Sequence, residues 1–338
     1  MKKLLPIFIS LLVLVLTGCT EDMLRAQAFD HKKTAFINQM ATQYGFSRSY
    51  VAELLANANY VPHVVSDATD NFEKSRWYRY ERIFMTDKRI DAGCQYWQNH
   101  TFTLNRSETI YGVDPIIIVS ILGVETFYGT KQGDDNILDA LSSLAFSDLP
   151  RASYFRDELT QFLLLTREMK IDPRNVHGSW AGALGFPQFM PSSYRKLAIG
   201  TTNRYPDLFN DTDDVPISVA NYFAKVGWQK NGMIAIPATV SGNVDNLINN
   251  QFQPIYTVGF LKQQGVRPSQ NLDDTTKVNL IKLEIADGQY QYWLTLPNFY
   301  VITKYNSSIN YAMAVFELSN RIREKCVTPS TDISAILM

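Results

Sequence analysis

The sequence predicts a mainly helical protein of the α+β class, with a small accessory β domain late in the chain. Three observations predict it. Apolar residues recur at helical spacing over most of residues 29–226, as at Phe36, Ile37, Met40 and Tyr44, and again at Phe155, Leu159, Phe162, Leu163 and Thr166. These stretches carry recognisable ends: Asp114 and Pro115 open one, and Gly45, Gly112, Gly129 and Gly227 close others. From Asn231 the pattern shifts to short β-favouring runs separated by Gly, Pro and Asn.

In chain order, helices are expected over residues 29–44, 49–57, 87–111, 114–128, 139–145, 153–169, 216–226 and 309–324. Residues 61–80 are mixed and read as an extended segment. Strands are expected at 233–236, 238–240, 278–285 and 290–294. At 338 residues the chain has room for two or three domains. The expected division is a signal peptide (1–18), a lipidated tether (19–30), a helical region (31–230), a small β-containing domain (231–300), a C-terminal helix returning to the helical region (301–326) and a tail (327–338).

The N-terminus specifies export. Lys2 and Lys3 precede an apolar run from Leu4 to Leu16, which is short for a membrane span and has the length of a signal-peptide core. Leu16, Thr17, Gly18 and Cys19 then resemble a lipobox, which implies that Cys19 becomes the lipidated first residue of the mature chain. Thr20 rather than Asp follows it, and by the usual sorting rule this favours an outer-membrane lipoprotein facing the periplasm.

Composition excludes several classes. Lys and Arg number 32 against 33 Asp and Glu, for a net charge of −1, so no basic excess points to nucleic acid. His31, His63, His100 and His177 form no HExxH or paired spacing, so no metal ligand set and no metal or other cofactor is expected. Cys94 and Cys326 can bridge in an oxidising compartment or stay as two buried thiols; sequence leaves both open.

Glu125 is the candidate catalytic group. Its helix is almost wholly apolar, and such a helix rarely carries a carboxylate that is neither paired nor functional. Burial and the negative end of the helix both disfavour the ionised form, as a general acid requires. The competing reading is a helix-end carboxylate in solvent, or one paired with Arg151 or Lys131. The second candidate is the stretch 178–191 (GSWAGALGFPQFMP), where three Gly and two Ala between Gly178 and Gly185 let backbone approach a polymer and Gln188 offers a donor and an acceptor. A tight buried turn between helices is the other explanation.

These residues resemble a known family. GVETFYG (123–129) and GSWAGALGFPQFMPSSY (178–194) look like signatures of the membrane-bound lytic murein transglycosylase B family. DALSSLAF (139–146), RASYF (151–155), SVANYF (218–223), YQYWLTLPNFY (290–300) and YNSSINYAMA (305–314) fit the same pattern in the same order. The resemblance covers roughly residues 30–325. It implies a lysozyme-like helical catalytic core with a small accessory β domain. The implied reaction cleaves the β-1,4 bond between N-acetylmuramic acid and N-acetylglucosamine of peptidoglycan without water, leaving a 1,6-anhydro ring. It places Glu125 at the catalytic position and Ser179, Gln188, Phe189 and Met190 in the cleft loop. Tyr222, Tyr305, Asn306 and Tyr311 fall at saccharide-contacting positions, and Arg151 at one facing the peptide stem. Peptidoglycan glycan strands are the implied partner, with wall-synthesis proteins as candidates.

Two departures stand out. Better-known members carry an EF-hand-like calcium loop, but here the corresponding stretch 199–211 (IGTTNRYPDLFND) lacks the spaced acids and contains Arg204, so no calcium site of that type is expected. Phe186 and Pro187 precede Gln188, where a small flexible residue is common. Neither central motif holds a second acid, so a single Glu is expected to act first as acid and then as base. A hydrolytic lysozyme on the same scaffold and a non-catalytic wall-binding lipoprotein are the alternatives.

Overall fold

A computed structural model describes residues 30–68, 75–248 and 252–327. The expected signal peptide, the expected lipidation site at Cys19 and the tail beyond Val327 lie outside the described residues. Among the described residues, no single helix is long and apolar enough to cross a membrane.

The chain opens with helices α1 (30–44), α2 (Arg48–Asn57), α3 (Pro62–Asp67), α4 (Trp77–Phe84), α5 (Asp87–Asn99), α6 (Thr101–Tyr111) and α7 (Pro115–Thr126). The strand β1 (Asp135–Asn136), helices α8 (Ile137–Ala145) and α9 (Ala152–Met169), strand β2 (His177–Gly178) and helices α10 (Pro191–Leu197) and α11 (Asp214–Lys225) follow. Next come β3 (Ala235–Val240), β4 (Tyr256–Thr257), α12 (Val258–Gln263), β5 (Val266–Pro268), β6 (Lys277–Ala286) and β7 (Gln289–Thr295). Helices α13 (Pro297–Thr303) and α14 (Ile309–Ile322) close the chain.

Several expectations need correction. Within 61–80 the described residues are largely helical rather than extended: Pro62 sits at the first position of α3, and Trp77, Tyr80 and Phe84 form the buried face of α4. The stretch 87–111 is two helices broken at His100, whose ring stacks on Tyr96 at 4.2 Å and pairs with Asp211 at 2.9 Å. Within 231–300, α12 and α13 interrupt the strands, α13 starting at Pro297.

The chain divides into two compact units. The first takes its described residues from 1–69, 133–183 and 190–192. Its core joins α1 to α8 and α9 through Phe36 and Phe146, whose rings meet edge-on at 5.8 Å. Asn136 caps α8 by accepting from Asp139 N–H at 3.1 Å, and β1 pairs with β2 so that Asp135 faces Gly178.

The second unit takes its described residues from 70–132, 184–189 and 193–338. Helix α7 runs through its centre, packed by α5, α6, α11 and α14. Asp114 caps α7 by accepting from Ile116 N–H at 3.1 Å, beside Pro115 at the first helical position. Burial of its Ile, Leu and Val side chains contributes roughly 1.5–3 kcal/mol each, which is why so polar a neighbour as Glu125 is tolerated at the end of the helix only. The antiparallel sheet has the order β4-β6-β7-β3-β5, with Ile281 opposite Trp293 and Ile236 opposite Leu294. One face buries Ile236, Leu280 and Leu294 over α12, and the other sets Trp293 against Phe316 of α14.

Cys94 and Cys326 are bridged, with Cα atoms 5.7 Å apart, and this ties α5 to the turn after α14. The link closes a separation of 232 residues, for which loop-closure entropy gives a stabilisation of about 5.5 kcal/mol.

Candidate active site

Glu125 stands in the last turn of α7, half-buried, while every other residue of that helix is buried. The helix ends earlier than its sequence suggests. Phe127, Tyr128 and Gly129 all adopt left-handed backbone, at φ of 51°, 56° and 84°. For the two aromatic residues this conformation costs about 1 kcal/mol or more each, so surrounding contacts must hold it. Tyr128 N–H donates to Leu122 O at 3.0 Å and Lys131 N–H to Thr126 O at 2.9 Å. The Thr126 hydroxyl donates to Phe186 O at 2.9 Å and accepts from Gly129 N–H at 2.9 Å. The Phe186 ring lies directly over Gly129, where no Cβ fits.

The carboxylate meets α14. Ser308 caps that helix by accepting from Tyr311 N–H at 3.1 Å, and the Tyr311 hydroxyl donates to Glu125 Oε1 at 2.6 Å. Burial first, then the Glu125 and Tyr305 charges, push the Tyr311 hydroxyl well above the usual phenol range, so it remains a donor. This accepted hydrogen bond favours the carboxylate form, an influence that opposes the helix end and that the sequence did not reveal. Removing it in Tyr311→Phe should cost about 1.5–3 kcal/mol of interaction, or roughly 10- to 100-fold in turnover at unchanged fold. Rates of muropeptide release by the variant check this, and a rate equal to the parent refutes it.

Around this pair the second unit assembles an aromatic wall. Tyr305 lies near-parallel to Tyr311 at 6.4 Å and to Phe223 at 5.6 Å, and contacts Tyr222 at 4.7 Å and Phe189 at 6.0 Å. Tyr222 donates to Lys304 O at 2.7 Å and Tyr305 donates to Pro187 O. Burial, then Glu125 and Tyr222, raise the Tyr305 hydroxyl well above its usual range. Gln188 adopts left-handed backbone (φ 51°), and its Nε2 donates to Gln132 O at 3.0 Å and Gly185 O at 2.9 Å. Phe189 and Leu184 bridge across this turn. Asn306 is half-buried beside Tyr305, and its carbonyl accepts from Ser308 N–H at 2.7 Å.

Seven of the expected residues therefore share the second unit: Glu125, Gln188, Phe189, Tyr222, Tyr305, Asn306 and Tyr311. Ser179, Met190 and Arg151 belong to the first. There Ser179 closes a turn, its hydroxyl accepting from Ala183 N–H at 2.9 Å. Arg151 is exposed and lies over the Tyr154 ring at 4.6 Å. Tyr154 is pushed up to about 12 by burial and then by Glu158, which is buried and accepts from Ser192 N–H at 2.9 Å and its hydroxyl at 2.7 Å. Met190 is half-buried just ahead of Ser192.

Sequence reasoning passed over Thr126, the left-handed pair Phe127 and Tyr128, and the carbonyls of Gln132 and Pro187. Nothing in their residue types flags them, because their roles rest on backbone atoms and long-range contacts. Phe186 and Pro187 acquire a use: the ring of one covers Gly129 and the carbonyl of the other receives Tyr305.

The stretch 199–214 does not fit a calcium loop. Asp214 is buried and accepts from Thr201 N–H and hydroxyl, both at 2.6 Å, and from Asp207 N–H at 2.9 Å. Asp207 accepts from Phe209 N–H, Asn210 N–H and Asn210 Nδ2 at 3.0, 3.2 and 2.8 Å. Each of these carboxylates already accepts three protein hydrogen bonds, which turns it toward its own loop and leaves little of it for a cation. Millimolar calcium should leave the melting temperature unchanged within about 1 °C, where a bound ion at 100 times its Kd would add about 2.7 kcal/mol. A rise of several degrees in a calorimetric scan would overturn this.

The chain is similar to known proteins in both sequence and fold. The transglycosylase SLT domain family matches residues 28–320. The membrane-bound lytic murein transglycosylase B of Escherichia coli strain K12 is 39% identical over 298 residues, covering 85% of this chain and 81% of that one. The soluble lytic transglycosylase SltB1 of Pseudomonas aeruginosa superposes with a TM-score of 0.80 at 38% identity, covering 86% of this chain and 98% of that one. The Escherichia coli lytic transglycosylase Slt35, solved with bulgecin A, superposes with a TM-score of 0.81 at 38% identity, covering 88% and 94%. The family resemblance and the mainly helical, lysozyme-like fold class expected from the sequence are both borne out. This chain belongs to the transglycosylase SLT domain family.

Proposed function

We propose that the protein is a lytic transglycosylase of peptidoglycan that breaks the β-1,4 bond after N-acetylmuramic acid with Glu125 as its sole acid and base. The observation that carries this reading is the Glu125 carboxylate, half-buried at the end of an apolar helix, held by Tyr311 and faced by the Tyr305, Tyr222 and Phe189 wall. The names of its relatives, lytic murein transglycosylase B among them, support the same reaction.

The chemistry follows from one carboxyl group and the sugar. Protonated Glu125 gives its proton to the glycosidic oxygen as the C1–O4 bond breaks. The 2-acetamido group of the muramic residue supports the positive charge at C1. The Glu125 carboxylate then takes the proton of the C6 hydroxyl, and O6 bonds C1 to close the anhydro ring. The intramolecular attack gains from proximity, so no bound water needs activation. Tyr311 keeps the carboxyl oriented through both steps. Gln188 and Asn306 supply polar contacts to the sugars, and Tyr222, Tyr305 and Phe189 supply flat apolar ones. In the first unit, the family resemblance gives Ser179 and Met190 saccharide-contacting roles and Arg151 a contact with the carboxylates of the peptide stem.

The cell-wall substrate and the lipobox at Cys19 support a further reading: the enzyme is anchored by lipid to the outer membrane and faces the periplasm, within reach of wall-synthesis proteins. Digestion of purified sacculi, with the products weighed by mass spectrometry, tests the activity. Muropeptides ending in anhydro-muramic acid are expected. Products heavier by one water would make the protein a hydrolytic lysozyme, and binding without release would make it a wall-binding lipoprotein.

A further inference from the structure

Arg89 is a buried cation that the reaction above does not use. It lies on α5 and is 8% exposed, in a place where a guanidinium is seldom left without strong compensation. Its partners are carbonyls and rings. Nε donates to Gly123 O at 3.0 Å, and a terminal nitrogen donates to Ile83 O. The guanidinium plane is flanked by Phe84 and Phe127, each ring centre 5.0 Å away. The backbone carbonyl of Arg89 accepts from the Tyr128 hydroxyl at 3.1 Å.

Three of these contacts, with Gly123, Phe127 and Tyr128, lie at the end of α7, while Ile83 and Phe84 belong to the end of α4. Gly123 is two residues before Glu125, and Phe127 and Tyr128 follow two and three residues after it. The chain reversal sends the N–H groups of Phe127 and Tyr128 to Leu122 O, so the regular four-residue donor, Phe127 N–H, is turned away from the Gly123 carbonyl, which accepts from Arg89 Nε. Phe127 is also one of the two aromatic residues in left-handed backbone, a conformation that persists only where contacts over-determine it. A planar cation stacked on that ring supplies such a contact, and desolvation makes the attraction stronger than at a surface.

We propose that Arg89 is the positioning residue for Glu125: it clamps the left-handed turn after the carboxylate by closing the Gly123 carbonyl and stacking on Phe127, and so sets the direction in which Glu125 points. The inference rests on Glu125 being the acid and base of the proposed reaction.

Arg89→Met and Arg89→Lys, made in the full-length protein, test it with soluble glycan strands as substrate and kcat and KM measured separately. Lysine keeps the charge but has neither the flat surface for the two rings nor the Nε donor. We expect both variants to lose about 10- to 100-fold in kcat with KM within about twofold of the parent, the size of loss expected from a misplaced reacting group. Circular dichroism and melting temperature identify any variant that does not fold. Should Arg89→Met fail to fold, Arg89→Lys and Phe127→Leu, which removes one stacking face only, decide the matter. A folded Arg89→Lys with parental kcat, or a change in KM alone, overturns the proposal. If the parent itself releases no anhydro product, the functional reading has failed instead.

Discussion

Glu125→Gln should abolish release of anhydro-muropeptides while leaving the protein folded. The amide is nearly isosteric with the carboxyl, and its oxygen still accepts from the Tyr311 hydroxyl that now lies 2.6 Å from Glu125 Oε1. The melting temperature should therefore stay within about 2 °C of the parent, since a volume-conserving change that keeps this hydrogen bond creates no cavity and leaves the Tyr311 hydroxyl paired. The amide has no proton to give to the glycosidic oxygen and no basicity to receive one from the C6 hydroxyl. Both steps fail together. General acid–base catalysis contributes roughly 100- to 10,000-fold per role, so turnover should fall by at least about 1,000-fold. Binding to sacculi, which depends on the aromatic wall and Gln188, should persist. A variant that still digests sacculi would remove Glu125 from the mechanism.

Gly129→Ala should destabilise the protein strongly and lower its turnover. At φ +84° an alanine is strained by about 1 kcal/mol or more, and its Cβ would fall 2.0 Å from the Phe186 ring. Phe186 is buried, so its ring can move only by displacing packed neighbours, at a further cost of about 1–3 kcal/mol. The loss in stability should total about 2–4 kcal/mol. Gly45→Ala provides the comparison: its φ is +68° with nothing within 4 Å of the added carbon, so it incurs the backbone cost alone. The difference between the two urea midpoints isolates the clash. Turnover should also fall in Gly129→Ala, because Phe186 O receives Thr126 and the neighbouring Pro187 O receives Tyr305. Equal destabilisation at Gly129 and Gly45 would show that the ring yields at little cost.

The two variants differ in how visible their positions are in the sequence. Glu125 announces itself, as a lone acid in the run PIIIVSILGVET is chemically incongruous. Gly129 reads as a helix stop, yet α7 stops at Thr126 and the glycine serves to admit Phe186. The error has a physical source. Helix ends predicted from sequence assume that left-handed backbone falls on Gly, whereas here Phe127 and Tyr128 occupy it first, held by contacts with Leu122, Thr126 and Arg89. The break at His100 was hidden for the same reason, because its ring is held by Asp211, 111 positions away, rather than by any local breaker.

Local energetics and motif chemistry are what the sequence by itself determined: the helical stretches with their Asp, Pro and Gly ends, the shift to β structure after residue 231, and Glu125 and Gln188 as the residues to watch. These depend on neighbours within a few positions, where spacing and residue type carry the whole interaction. The tertiary structure alone decided the bridge between Cys94 and Cys326, the hydrogen bond from Tyr311 to Glu125, the wall of Phe189, Tyr222 and Tyr305, and the burial of Arg89 against the end of α7. Each joins residues far apart in the chain, and each forms only once packing of the apolar faces has already met the cost of closing the loops between them. The sequence singles out the carboxyl group of Glu125; the fold supplies the Tyr311 hydroxyl on it and the guanidinium of Arg89 against the turn that follows it.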